Sequence, residues 1–166
     1  MEFTLTFLAV ERLGYTSMDN AYMFIFIGFF IAMVQGGYVR RKAHKVGERK
    51  MAMQGLFAIV PGLILLAYAQ SSPMLYAGLF FLSVGSAMTI PCLTSLVSFY
   101  SPENMQGQSL GIFRSLGALG RVIGPIYASL VYWRYGSVTA YLTGAVLVFL
   151  PAVIVKMLPP VPKAEE

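Results

Sequence analysis

Long apolar runs separated by short polar segments dominate the chain. Five of these runs carry few charges and come close to, or exceed, the ~20 residues that an α-helix needs to cross a ~30 Å hydrocarbon core. They cover residues 21–39, 51–69, 74–100, 109–133 and 138–158. The pattern therefore predicts five membrane-spanning helices. The third contains Pro91, where we expect a kink or an early end of the helix.

The chain begins with a shorter apolar run. Residues 1–10 are apolar, but the polar segment 11–20 follows directly. As a helix, this run reaches only ~14 Å into a membrane, which would leave its first residue near the bilayer midplane. A charged amino group there is unfavourable. We therefore expect a first span that lacks its cytoplasmic half, in a piece of a longer protein or a product of an internal start codon.

The composition excludes a soluble domain. Hydrophobic residues make up 57% of the chain and charged residues 11%, whereas soluble domains carry about 25% charged residues. One cysteine, Cys92, and one histidine, His44, argue against an internal disulfide framework and against a metal site. The sequence has no G-x-S-x-G and no H-E-x-x-H motif. We expect a membrane protein that is not an enzyme and that holds no cofactor and no metal.

The basic residues predict the orientation in the membrane. Six of the 12 Lys and Arg residues lie between Arg40 and Lys50, and such clusters mark cytoplasmic loops. Alternation through the spans then places the C-terminal tail, 159–166, on the same side. The net charge of +5 therefore reflects membrane topology, and we expect no nucleic-acid partner.

Three motifs in chain order carry a resemblance to a known family. They are GGYVR at 36–40 with VGERK at 46–50, PCLTSLVS at 91–98, and QGQSLG at 106–111 followed by SL at 115–116 and GP at 124–125. Together they resemble the C-terminal half of major facilitator superfamily transporters. The branch that they resemble most is the tetracycline/proton antiporters and their animal tetracycline-transporter-like relatives.

The resemblance implies an all-α integral membrane fold. Residues 1–158 would form the C-terminal six-helix half with a truncated first helix, and an N-terminal six-helix half would be its missing partner. The implied function is secondary active transport of small organic molecules, either organic anions or drugs such as tetracycline, with proton coupling and alternating access. The alternative is a non-transporting truncated subunit or isoform that pairs with a separate N-terminal half.

The loop between the first two long spans is similar to the family's cytoplasmic loop motif. The matching residues are Gly36, Gly37, Arg40, Gly47, Glu48, Arg49 and Lys50. The family often has an aspartate shortly after the glycine pair, whereas residues 38–42 contain no acid. The partner role of that aspartate would fall to Glu48 alone.

Two arginines stand out within the fourth long span. Arg114 and Arg121 are seven residues apart and so share one helical face. An arginine at the centre of a span costs ~2.5–3.5 kcal/mol and should face a wet cavity or a partner. Arg121 is the central one, and it would bind an anionic substrate or form a structural ion pair. Glu2 is its candidate partner or a proton carrier, and Gln35 matches a glutamine of the tetracycline antiporters that could contact substrate.

Small residues follow each other at every fourth position on the same span. Gly120, Gly124 and Ala128 form this stripe, and Pro125 can bend the helix beside it. Such stripes permit close packing of membrane helices. We expect ordinary close packing, a hinge contact between the two halves, or both.

Overall fold

The computed structural model describes residues 2–159, apart from the side chains of Glu2, Phe3 and His44. All regular secondary structure in this range is helical. Of the expected tail at 159–166, residues 160–166 lie outside the described residues. The helices are α1 (Glu2–Leu13), α2 (Ser17–Met33), α3 (Arg40–Val46), α4 (Glu48–Ala67), α5 (Ser72–Tyr100) and α6 (Gln106–Met157). A π-helical segment, Val34–Val39, joins α2 to α3, and a short 3₁₀ turn, Glu103–Met105, precedes α6.

Four helical stretches in the described part of the chain are long and apolar enough to cross a membrane. They are Ser17–Ala43, Glu48–Ala67, Ser72–Tyr100 and Glu103–Met157. The last has 55 residues, about 80 Å of helix, which is enough for two crossings. By contrast, α1 has 12 residues, about 18 Å, and is too short to cross. The described residues therefore have the all-helical, membrane-spanning character that the sequence predicts.

Two glycines make the sharpest changes of direction. Gly136 interrupts α6 with φ 86° and ψ 168°, and Gly47 separates α3 from α4 with φ 88°. Both φ angles lie in the left-handed region that favours glycine. The break at Gly136 divides α6 into a first leg, residues 106–135, and a second leg, residues 137–157. Gly47 ends a helix over the basic segment, which the sequence analysis treated as a loop.

The tightest helix contact joins α4 to α5 through two pairs of glycines. A Cβ on Gly55 would lie 2.7 Å from the Gly85 carbonyl oxygen, and one on Gly62 would lie 3.0 Å from the Gly78 carbonyl oxygen. Because glycine has no side chain, the two backbones approach directly, as is common between membrane helices. This contact between α4 and α5 was not predicted from the sequence.

The expectation that α5 ends early at Pro91 is wrong. The helix continues through Pro91 and ends only at Tyr100. Both sides of the proline are held by packing, because Met88 and Cys92 are buried against α4 and the second leg of α6. A proline within a membrane helix is tolerated where neighbouring helices support the chain.

Buried apolar residues form two clusters, one toward each end of the bundle. The cluster at the α1 end centres on Leu8, Met23, Leu63 and Leu66. The cluster at the α3 end centres on Met51, Leu56, Cys92, Leu96 and Val155. Because α4, α5 and the second leg of α6 each contribute to both clusters, these three helices form the centre of this half.

Candidate functional site

A groove of about 510 Å³ lies between the two legs of α6 and the beginning of α1. Small residues line much of it, which leaves room for a ligand to approach the helix backbones. The lining residues on the first leg are Gly120, Arg121, Gly124, Pro125, Tyr127 and Ala128; Thr4 comes from α1, and Ala140, Tyr141, Gly144 and Leu147 come from the second leg. The groove is therefore largely apolar, with Arg121 as its one charged side chain among the described residues.

Arg121 lies midway between Gln106 and Gly136, at the centre of the first leg. Its side chain is exposed, and no hydrogen bond or ion pair joins it to another residue in the described part of the chain. An unpaired charge at this depth is unfavourable in hydrocarbon. The guanidinium therefore requires water, an anion or an acidic side chain in the groove, and a carboxylate satisfies its planar fork of donors well.

Tyr141 is a polar contributor to the groove that the sequence analysis missed. It is only 3% exposed, and its side chain interacts with the hydroxyl of Thr4 on α1, which lines the same groove. Tyr141 also lines a second cavity of about 370 Å³, whose polar lining includes Ser83 and Ser86. Tyr141 and Thr4 therefore place two hydroxyl groups in an otherwise largely apolar lining. A tyrosine in an apolar helix gives no sequence signal for such a position.

The other predicted contacts lie apart from the groove. Arg114 is exposed on the first leg, ~10 Å from Arg121 by helix rise, and does not line the groove. Gln35 is exposed in the π-helical segment and lines neither cavity. The side chain of Glu2 lies outside the described residues, so its proposed pairing with Arg121 stays a prediction.

In the part of the chain that the structure describes, Gly120 and Gly124 of the small-residue stripe do not pack closely against another helix. A Cβ on Gly120 or on Gly124 would meet no atom within 4 Å. The stripe instead forms one wall of the groove, with Pro125 half-buried beside it. Close packing within this half is thus made by the glycine pairs of α4 and α5, and the stripe is available to a ligand or to another helix.

The residues of the loop motif separate into inward and outward groups. Arg49 donates hydrogen bonds from Nε to the Val155 carbonyl at 3.1 Å and from Nη2 to the Lys156 carbonyl. These carbonyls belong to the last turn of α6, where helical acceptors lack partners. Glu48 is buried at 9% exposure, whereas Lys50 is exposed. Arg49 therefore holds the beginning of α4 to the end of α6.

A second arginine makes an equivalent link at the opposite end of the bundle. Arg12 donates from Nη1 to the Ala67 and Ala69 carbonyls at 2.9 and 3.1 Å, and from Nη2 to Ser137 Oγ at 2.6 Å. Its neighbour Glu11 accepts a hydrogen bond from the Tyr132 hydroxyl. The end of α1 is thereby joined to the end of α4 and to the reversal of α6. Sequence spacing could not indicate these partners, since they lie 55 to 125 residues away along the chain.

Comparison with known proteins places this architecture in a family. Residues 21–166 match the Major Facilitator Superfamily. The human major facilitator superfamily domain-containing protein 10 is 37% identical over 158 residues, which are 95% of this chain and 34% of that protein. The tetracycline resistance protein, class E, of Escherichia coli is 32% identical over 122 residues, 74% of this chain and 30% of that protein.

A solved structure agrees with the sequence relatives. The crystal structure of the human organic anion transporter MFSD10 (TETRAN) superposes with a TM-score of 0.87 at 37% identity, over 93% of this chain and 36% of that one. The apolar helices and the groove define an integral membrane protein built as one half of a transporter fold. The chain belongs to the major facilitator superfamily, and it spans about a third of the length of the relatives that it matches. This confirms the resemblance indicated by the three motifs.

Proposed function

We propose that this chain is the C-terminal half of a secondary active transporter of small organic anions, with Arg121 contacting the anion in the groove. The observation that carries the proposal is the Arg121 guanidinium at the centre of a membrane-spanning leg, which has no ion-pair partner among the described residues. Guanidinium binds carboxylates in a planar, bidentate geometry, and the glycines on both sides of Arg121 leave space for that approach.

The character of the groove defines the kind of anion. One cationic group lies in a lining that is otherwise mostly apolar, so the preferred substrate carries one acidic group on an apolar body. Thr4 and Tyr141 contribute hydroxyl groups to the same lining, close to any further polar atom of the substrate. Human MFSD10 is described as an organic anion transporter, which supports organic anions as the class of substrate. The relationship to tetracycline resistance proteins supports drugs such as tetracycline as the second class.

Transport requires an N-terminal half as partner. Every residue from 114 to 124 is exposed on the first leg of α6, and these side chains include Leu116, Leu119, Val122 and Ile123. This face would form the seam with the other half, around which alternating access takes place. The same exposed face favours the second candidate function, a non-transporting subunit that pairs with a separately made N-terminal half.

The proposal also includes proton coupling of transport and an orientation of the helices in the membrane. The resemblance to tetracycline/proton antiporters supports proton coupling, with Glu2 as the candidate carrier and Arg114 and Gln35 as secondary substrate contacts. The basic segment 40–50 supports a cytoplasmic location for α3. The end of α6 would then be cytoplasmic as well, since Arg49 of that segment donates to the Val155 carbonyl.

The test is uptake of an organic anion by cells that contain this half together with an N-terminal half. Arg121→Gln should lower the transport rate per molecule in the membrane at least tenfold, whereas Arg134→Gln should leave it unchanged. Arg134 provides a matched control because it is an exposed arginine that lines neither cavity. Wild-type transport by Arg121→Gln would contradict the site. Absence of transport by the wild-type pair, despite stable association, would favour the non-transporting subunit.

A further inference from the structure

Five exposed basic side chains lie close together in the sequence, four on α3 and one at the beginning of α4. We call Arg40, Arg41, Lys42, Lys45 and Lys50 the basic patch. All five are exposed. The inward residues of the same segment are Val39, Ala43 and Val46, which pack against the buried cluster around Met51. Packing of this apolar face therefore fixes the basic side chains on the outside of the bundle.

No exposed acid neutralises the basic patch within residues 38–50. The only acidic residue of that segment is Glu48, which is buried. Arg49 is already engaged with the end of α6 through the Val155 carbonyl, so it does not belong to the patch. The surface of the segment thus has five positive charges and no exposed negative one.

The length of the helix places the patch at the depth of lipid headgroups. Ser17–Ala43 has 27 residues, about 40 Å of helix, whereas the hydrocarbon core is about 30 Å thick. About 10 Å of the stretch must therefore lie outside the hydrocarbon, and the charged last turns are far more stable there than within it. The ring of Tyr38, 40% exposed, lies there with the Lys42 Nζ 5.5 Å from its centroid. Tyrosine is typical of the membrane–water interface.

From this combination we propose that the basic patch binds the headgroups of anionic phospholipids. The patch lies at the junction of two membrane-spanning stretches, with four residues on α3 and Lys50 at the beginning of α4, so its natural counter-charge is the phosphate of a neighbouring lipid. Lipids with net negative charge, such as phosphatidylserine, should be selected over phosphatidylcholine, since each basic residue near an anionic surface contributes about a fivefold preference. The inference does not depend on the proposed transport activity.

The experiment uses fluorescence quenching by brominated lipids in bilayers that contain the full chain. The native chain has one tryptophan, Trp133, which is 91% exposed in the last turn before the reversal at Gly136, and it reports on the lipid at the end away from the patch. A second protein, Tyr38→Trp in a Trp133→Phe background, reports on the lipid at the patch. Brominated phosphatidylserine and brominated phosphatidylcholine are compared at each tryptophan.

We expect the ratio of the binding constants of phosphatidylserine and phosphatidylcholine to be about five or more at the patch and about one at Trp133. The double change Lys42→Gln and Lys45→Gln should lower the first value several-fold, whereas Lys42→Arg with Lys45→Arg should retain it. Salt should weaken the preference, because exposed charges are screened. Equal constants at the two tryptophans would overturn the proposal, as would an unchanged preference in the glutamine variant. Complete competition by inorganic phosphate would also overturn it, by showing that free phosphate is the ligand.

Discussion

The backbones of Gly55 and Gly85 are in direct contact. A Cβ on Gly85 would lie 2.6 Å from the Gly55 carbonyl oxygen, and a Cβ on Gly55 would lie 2.7 Å from the Gly85 carbonyl oxygen. Both obstacles are backbone atoms, which cannot turn away as a flexible side chain can. The separation of α4 and α5 is therefore set by these two glycines, and the rest of the half is packed around that pair of helices.

Substitution of either glycine should destabilise the protein. We expect Gly85→Ala to lower the free energy of unfolding in detergent by about 1–3 kcal/mol, as overpacking of a well-packed interior does. The matched control is Gly117→Ala, another helical glycine, where a Cβ would meet no atom within 4 Å. Equal unfolding midpoints for the two variants would show that the α4–α5 contact does not limit stability.

Arg49 and Lys50 should differ in their effect on stability although they are adjacent and equally charged. Arg49→Gln removes hydrogen bonds to the Val155 and Lys156 carbonyls, and hydrogen bonds to charged groups contribute about 1.5–3 kcal/mol each. Lys50→Gln removes an exposed charge and should change the unfolding midpoint little. If Lys50→Gln destabilises the protein as much as Arg49→Gln, net charge rather than the link to α6 is responsible.

The hydrogen bonds of Arg12 at the α1 end of the bundle lead to a separate prediction. Arg12→Gln should loosen α1, because the glutamine amide cannot reach all three acceptors that Arg12 now binds. Hydrogen exchange of the amides of α1 should then become faster, while exchange in α5 should not change. The control is Arg134→Gln, whose arginine is exposed and lies 5.9 Å from the ring of its neighbour Tyr135. Unchanged exchange in α1 would contradict a structural role for Arg12.

A graded series at Arg121 distinguishes substrate binding from structural pairing. Arg121→Lys keeps the charge but loses the planar fork of donors, so anion transport should fall less than in Arg121→Gln, and neutral substrates should be affected less than anionic ones. Arg114→Gln should have a smaller effect, since Arg114 does not line the groove.

A structural ion pair would give a different pattern at Arg121. Arg121→Gln would then leave a buried acid unpaired, which would lower the stability of the protein by about 3–5 kcal/mol. Membrane abundance should fall as a result. Removal of that acid, with Glu2→Gln as the first choice, would then restore abundance. Transport and abundance should therefore be measured on the same cells.

The proposed orientation can be tested with single cysteines in a Cys92→Ala background. His44→Cys should react with an impermeant thiol reagent only after the membrane is permeabilised, because it lies within the basic segment 40–50. Ser71→Cys lies between α4 and α5 at the other end of the bundle and should react without permeabilisation. The opposite pattern would reverse the assignment of every loop.

The sequence alone determined the membrane class, the family and the approximate positions of the helices. These properties follow from local features: apolar runs long enough for a bilayer, a cluster of basic residues, and short motifs in a fixed order. The positions of the helix ends were predicted less accurately. The basic segment is helical as far as Val46, and α5 continues past Pro91, because packing between helices outweighs local preferences.

The tertiary structure decided which residues act together. By sequence, Arg49 and Lys50 are equivalent, and so are Gly55 and Gly120; only the packing shows that Arg49 reaches α6 and that Gly120 faces an open groove. Arg12 and Tyr141 gave no signal at all, since their importance rests on carbonyls and cavities formed by distant segments. Hydrogen bonding and close packing depend on positions to within an ångström, and the folded bundle alone defines these positions.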